Sequence, residues 1–243
     1  MSAGPGPGDA APQQGTAAEA QATGAGPATD GVSVVSQTRS AFLAAAATAR
    51  RVVALFQVGG RWKEPSALAE MSVGALAAHL VRAVTNVDRY IQDEPPDPAE
   101  PPVSAAEYFL PVDADRSSRI NVGVRATSAE EALVGQRALL GRMDRAMERL
   151  GTRLPAEPGG RTVRVRDGEV LLLDDYLRTR LIELTIHSDD LCVSVGVQTP
   201  TLPGLDIAVA TLIEVATLRH GELAVLRALT RRERDPQDAL RVL

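Results

Sequence analysis

Glu183 and His187 stand four residues apart in the run Leu181-Ile182-Glu183-Leu184-Thr185-Ile186-His187. In a helix that spacing puts both side chains on one face, one turn apart. A carboxylate and an imidazole so placed can occupy two corners of a divalent ion's coordination sphere. Arg180 and Asp190 extend the same polar row beside a leucine stripe. His79 offers a third donor from the edge of another stripe (Leu76, Leu80, Ala83, Val84, Val87, Ile91), a flank that could face the row across a bundle groove. Two neutral imidazoles and one carboxylate, with a fourth position open, suit a catalytic zinc site, although nickel, manganese or iron would also accept them. A closed structural site would want four protein ligands, usually with cysteine. Spacing alone leaves plainer readings open: a Glu–His pair can be a helix-surface contact, and a lone histidine is often a hydrogen-bonded core residue.

The remaining reactive side chains are few. His220 precedes Gly221 at a helix end, where it suits capping carbonyls. Cys192, five residues beyond His187 and off the ligand face, reads as an inert packing residue. As the sole cysteine it excludes an internal disulfide and fits a reducing cytoplasm. Arg180 could steady Glu183 or meet an anionic substrate, or it could be an ordinary surface ion pair.

Helices must carry these donors. Val35, Phe42, Ala46, Ala49, Val53 and Phe56 recur at helical spacing, with Gly59-Gly60 as a stop. Ser72 is a good cap for the helix of His79. Residues 93–127 are rich in Pro, Asp and Glu around Tyr108-Phe109-Leu110. So long a connection is usually functional or mobile, and one role expected of it is to cover the site through Tyr108 and Phe109 and select the substrate. Ser128 and Glu131 read as a capping box for a third helix striped by Leu133, Leu140, Met143, Met147 and Leu150, with Gly151 as its stop. Residues 162–173 read as a hairpin about Asp167-Gly168. Asp174 or Asp175 should cap the fourth helix, that of Glu183 and His187, and Gly196 should end it. A fifth helix follows from Leu205 to Arg219, then an arginine-rich one from Glu222 to Arg234. The expectation is a mainly all-α protein: an antiparallel four-helix bundle with a small β-hairpin insertion and extra C-terminal helices. Residues 1–30 form an Ala/Gly/Pro-rich tail expected to be disordered, 31–197 the bundle and 198–243 a helical extension.

Composition narrows the partners. Hydrophobic residues at 44% and charged ones at 23% are ordinary for a soluble globular chain, and no apolar run reaches about 18 residues. A net charge of -5 and 3% aromatics give no reason to expect nucleic acid. Glu233 and Asp235 dilute Arg227, Arg231, Arg232 and Arg234 to a solvated helix face. The first basic residue is Arg39, and no apolar core follows the amino terminus, so no secretory signal is expected and the location should be cytoplasmic.

The stretch Glu70-Met71-Ser72-Val73-Gly74-Ala75-Leu76-Ala77-Ala78-His79-Leu80 resembles the first metal motif of the mycothiol-dependent maleylpyruvate isomerase family, one of the DinB-like bundles. Residues 175–191 resemble that family's Arg-x-x-Glu-x-x-x-His-x-x-Asp-Leu helix through Arg180, Glu183, His187, Asp190 and Leu191. Trp62 and the tail from Arg219 to Arg234 also fit, so the likeness runs over roughly residues 35–235. It implies a DinB-like bundle with zinc on His79, Glu183 and His187, and mycothiol or a related small thiol as co-substrate. The ion would activate the thiolate for attack on a small electrophile, as in a thiol S-transferase or a cis–trans isomerase. Met71 and Ala75 depart from the family, where Trp and an acidic residue are frequent, and only about 50 residues follow the metal helix where the isomerases carry a second domain. A non-catalytic metal or small-ligand binder, and a metal-free bundle, are the competing readings.

Overall fold

The computed structural model describes residues 1, 4, 29–111, 118–165, 168–230, 237–240 and 242. Most of the expected tail lies outside them, as do Asp167 of the hairpin turn and residues 231–234 of the last predicted helix. The elements are α1 (Thr29–Val53), α2 (Phe56–Gly60), α3 (Val73–Gln92), α4 (Ala105–Tyr108), α5 (Arg119–Ala132), α6 (Gln136–Ala156), β1 (Thr162–Arg164), β2 (Val170–Leu172), α7 (Leu173–Val195), α8 (Leu205–His220), α9 (Glu222–Thr230) and α10 (Gln237–Leu240).

Helices α1, α3, α6 and α7 make the bundle: α1 and α3 each pack on both α6 and α7. Their directions follow from which ends meet. Gln136, opening α6, donates to the Val53 carbonyl at the end of α1, while Arg39 near the start of α1 reaches the Leu154 carbonyl at the end of α6. Tyr90 at the end of α3 packs edge-on against Tyr176 at the start of α7. Arg149 and Arg153 of α6 instead bond Asp88 and the Ile91 carbonyl in the last turns of α3. So α1 and α7 run one way, α3 and α6 the other. Consecutive bundle helices that run the same way need a long return between them, and residues 93–135 supply it.

That return is where the structure departs most from the sequence reading. Within 93–127 the described residues include α4 and most of α5. Ser128 caps nothing: it sits inside α5, where its hydroxyl donates to the Val124 carbonyl. Glu131 pairs with Arg82 on α3. The break comes at Gly135, whose φ of +81° suits glycine, and α6 opens at Gln136. Leu133, placed before that break, is 84% exposed and leaves the stripe. Gly151 does not stop α6 either. Buried Leu150 and Leu154 on either side anchor the helix, outweighing the roughly 1 kcal/mol that an interior glycine costs. Likewise α1 ends at Val53, so Phe56 is 88% exposed and Val58 of α2 enters the core instead.

Ser72 caps α3 as expected, accepting from the Ala75 N–H at 3.1 Å. The hairpin pairs Thr162 with Leu172, Val163 with Leu171 and Arg164 with Val170. Strand β2 runs straight into α7, whose cap position is Leu172, so neither aspartate caps it. Asp174 pairs with Arg39 and Asp175 with Arg178. Gly196 ends α7 in the left-handed region, as expected. The C-terminal helices back α7 with a second, smaller apolar cluster in which Ile182 meets Phe109, Ala208 and Val215. Among the described residues no helix is long and apolar enough to cross a membrane.

Candidate metal centre

The site lies between the middle of α3 and the middle of α7. Buried Leu76 and Leu80 of α3, and buried Leu181 and Leu184 of α7, fix the rotation of both helices, so that His79 and the Glu183–His187 row come up side by side. His79 Nε2 lies 2.9 Å from Glu183 Oε2, and His187 Nε2 lies 3.2 Å from the same oxygen. The imidazoles meet edge-on with ring centroids 4.7 Å apart. One ligand atom from each residue falls within 4.8 Å of the others. Ligands about 2.1 Å from a tetrahedral ion stand about 3.4 Å from one another, so the two imidazole–carboxylate separations need only slight spreading. The three side chains are 16%, 19% and 17% exposed, which leaves the cluster sheltered yet open on one side.

Each donor is held from behind. His187 Nδ1 donates to Asp190 Oδ2 at 3.0 Å, the partner a metal-ligating imidazole usually has. Arg180 lies with one guanidinium nitrogen 3.9 Å from Glu183 Oε1, donates through Nε to Thr179 Oγ1, and stacks on Tyr176 at 4.9 Å and Tyr108 at 6.0 Å. Burial and the neighbouring charges act against each other across the cluster. Burial would lift the Glu183 carboxyl, but hydrogen bonds from His187 and His79, with Arg180 beside them, hold it well below the carboxylate range. Burial would depress His187 too, yet its bonds to Asp190 and Glu183 push it up to about 9. Burial depresses His79, and the nearby His187 and Arg82 add to that against the opposing bond to Glu183. The donor set suits a divalent ion: one ionised carboxylate and two imidazoles, all three mostly shielded from solvent.

The other sequence candidates divide. Arg180 is buried beside the triad, so the surface ion-pair reading does not hold. Tyr108 reaches the neighbourhood of the site through Arg180, whereas Phe109 is 2% exposed in the second cluster and cannot line a substrate loop. Cys192 is fully buried, and His220 is exposed at the end of α8, apart from the triad. Arg82, Ser128 and Glu131 were not foreseen as neighbours of the site. Arg82 stands three residues after His79, a spacing that does place two side chains together on a helix.

The sequence profile described as the mycothiol maleylpyruvate isomerase N-terminal domain matches residues 42–192, a span that takes in all three donors. No curated protein matches the sequence. The crystal structure of a histidine-to-alanine variant of the mycothiol-dependent maleylpyruvate isomerase superposes with a TM-score of 0.43 and 14% identity, over 79% of this chain and 70% of that one. That likeness is too distant to carry an argument about chemistry. The profile match, running through more than half of the 243 residues, is what decides it: the chain belongs to the mycothiol maleylpyruvate isomerase N-terminal domain family.

Proposed function

We propose that this protein is a metal-dependent enzyme in which His79, Glu183 and His187 hold a divalent ion, zinc first among the candidates. Its co-substrate would be a low-molecular-weight thiol, mycothiol or a close relative. The partner would be a small electrophile, handled in a thiol S-transfer or a maleylpyruvate-isomerase-like cis–trans isomerisation. The observation that carries this reading is the convergence of three ligand-type atoms within 4.8 Å, although His79 and Glu183 stand 104 residues apart in sequence. The ion, when bound, would supply a Lewis acid that lowers a thiol's pKa and fixes its sulfur.

The chain's own residues supply the rest. Glu183 gives the site its negative charge, and Asp190 orients the His187 ring. Arg180, stacked on Tyr176 and Tyr108, is a fixed cation beside the triad, where developing negative charge on a thiol or an electrophile would be stabilised. Residues 31–197 would form the metal-binding unit and 198–243 an extension whose task is to back α7.

Metal analysis of the purified protein tests the first half: about one divalent ion per chain is expected, and His79→Ala should lose most of it while far-UV circular dichroism stays helical. Unchanged occupancy in that variant would overturn the ligand assignment. Thiol-dependent consumption of an electrophile, abolished in His187→Ala with the fold retained, tests the second half. Metal without turnover across thiols and electrophiles would leave a binding protein instead.

A further inference from the structure

Arg82 lies 2.9 Å from His79 Nδ1 through its Nη2, which also donates to Ser128 Oγ at 3.0 Å, while Nη1 donates to Glu131 Oε2 at 3.0 Å. A guanidinium has donors only, so His79 Nδ1 must be the lone-pair nitrogen and the ring hydrogen must sit on Nε2, facing Glu183. That is the wrong tautomer for a ligand. An ion on Nε2 needs the lone pair there, and a neutral imidazole then carries its hydrogen on Nδ1, against the Arg82 donor. At Nδ1 His187 has no such conflict, because Asp190 already accepts there; its Nε2, 3.2 Å from Glu183 Oε2, has only to lose its hydrogen for the lone pair to face the ion. The two histidines of one site are therefore prepared differently. Resting on the metal reading above, we infer that Arg82 is a positioning residue that holds His79 in its metal-free tautomer and must release Nδ1 before the ion can bind. Glu131, which shares Arg82, is the carboxylate that takes the Nδ1 hydrogen in its place.

Loading of the triad is thereby linked to the crossover helix α5. Arg82 ties α3 to α5 through Ser128 and Glu131, so the guanidinium that yields His79 keeps its contacts on α5 and turns toward them. The same release sets Arg82 apart from Asp190: one opposes the ion and the other favours it.

Zinc binding is to be measured by competition against a chelator of known affinity on the full chain. Arg82→Met removes the donor and frees Glu131; Arg82→Gln can turn its amide oxygen toward Nδ1. Both should bind zinc about ten- to a hundredfold more tightly than wild type, the effect of no longer breaking one charged hydrogen bond. Glu131→Gln, which weakens the replacement acceptor, should bind more weakly. Nitrogen-15 shifts of the metal-free protein, which has only three histidines, should place the His79 hydrogen on Nε2 in wild type and move it toward Nδ1 on zinc addition. If wild type takes up zinc while every folded Arg82 variant binds it equally or more weakly, the inference falls and the metal site stands. If neither wild type nor variant takes up zinc, both fall. Should one variant fail to fold, the other and the wild-type tautomer decide.

Discussion

Arg39→Met should be among the most costly single changes in the protein, and the cost can be worked from its contacts. The guanidinium is 7% exposed and grips both oxygens of Asp174, at 3.0 and 2.9 Å, while also donating to the carbonyls of Leu154, Glu157 and Pro158. It thereby closes the end of α6 and pins the first turn of α7 to α1. Methionine keeps most of the volume and removes every donor, leaving a carboxylate that is only 16% exposed and three helix-end carbonyls to find water. Breaking a buried pair from one side costs about 3–5 kcal/mol. The lower half of that range applies here, because Asp174 also sits in the favourable first turn of a helix.

A loss of about 3–4 kcal/mol should lower the melting midpoint by roughly 6–15 °C in a chain of this length. The pH dependence carries a sign. Burial raises the Asp174 carboxyl despite Arg39, and removing the cation must raise it further, so the folded variant binds that proton more tightly than the unfolded chain. The penalty should therefore shrink as pH falls through the raised folded value. Urea unfolding at pH 7 and pH 5, with Asp174→Asn added to Arg39→Met, is the assay; the double variant should recover part of the loss. Asp174 lies nine residues, about 13 Å, before Glu183, so metal stoichiometry should be unchanged. A single variant within 1 kcal/mol of wild type at pH 7, or a penalty that grows on acidification, would refute the reasoning.

Two further outcomes follow from the same geometry. In metal-free protein the raised pKa of His187, about 9 against an ordinary 6.5, contributes stability that is complete below about pH 6.5 and lost as pH rises through about 9. Melts of chelated protein at pH 6 and pH 9.5 should differ accordingly, and the difference should flatten in His187→Ala. Gly204→Ala should destabilise by about 2–4 kcal/mol in denaturant titrations, since φ is +76° and a Cβ there would lie 2.6 Å from Cδ2 of fully buried Leu181; a neutral result would mean that α7 and α8 pack more loosely than described.

Sequence sufficed where a local rule had no competitor. Ser72 and Gly196 bound α3 and α7 as their residue types demand, and the hairpin pairs Thr162–Arg164 with Val170–Leu172 on either side of the Asp-Gly dipeptide that marked it in the sequence. It failed where a local pattern has two physical uses. Ser128-x-x-Glu131 satisfies the capping-box spacing, but the same two side chains are the partners of Arg82, and an ion pair between residues 49 apart on different helices is invisible to spacing. Asp174 and Asp175 look like caps for the same reason, and Arg39 and Arg178 claim them instead. Phe56 keeps the helical period of α1 but stands beyond its last residue, so periodicity alone carried the stripe too far.

That Glu183 and His187 share a helix face was legible from their spacing, and the family resemblance, not spacing, joined His79 to them; what local pattern could not supply was the partner helix. That His79 meets them depends on the antiparallel alignment of α3 with α7, and contacts outside the triad set it. At one end Tyr90 packs on Tyr176; at the other the Ala67 N–H, just before α3, donates to Ser194 Oγ in the last turn of α7. Between those two points the register has no freedom to slip by a turn, because Leu80 and Leu181 are fully buried. The histidine–glutamate–histidine cluster is thus a consequence of packing rather than its cause. An ion entering it would find donors already assembled, and its binding energy would go to choosing a ring tautomer rather than to building a fold.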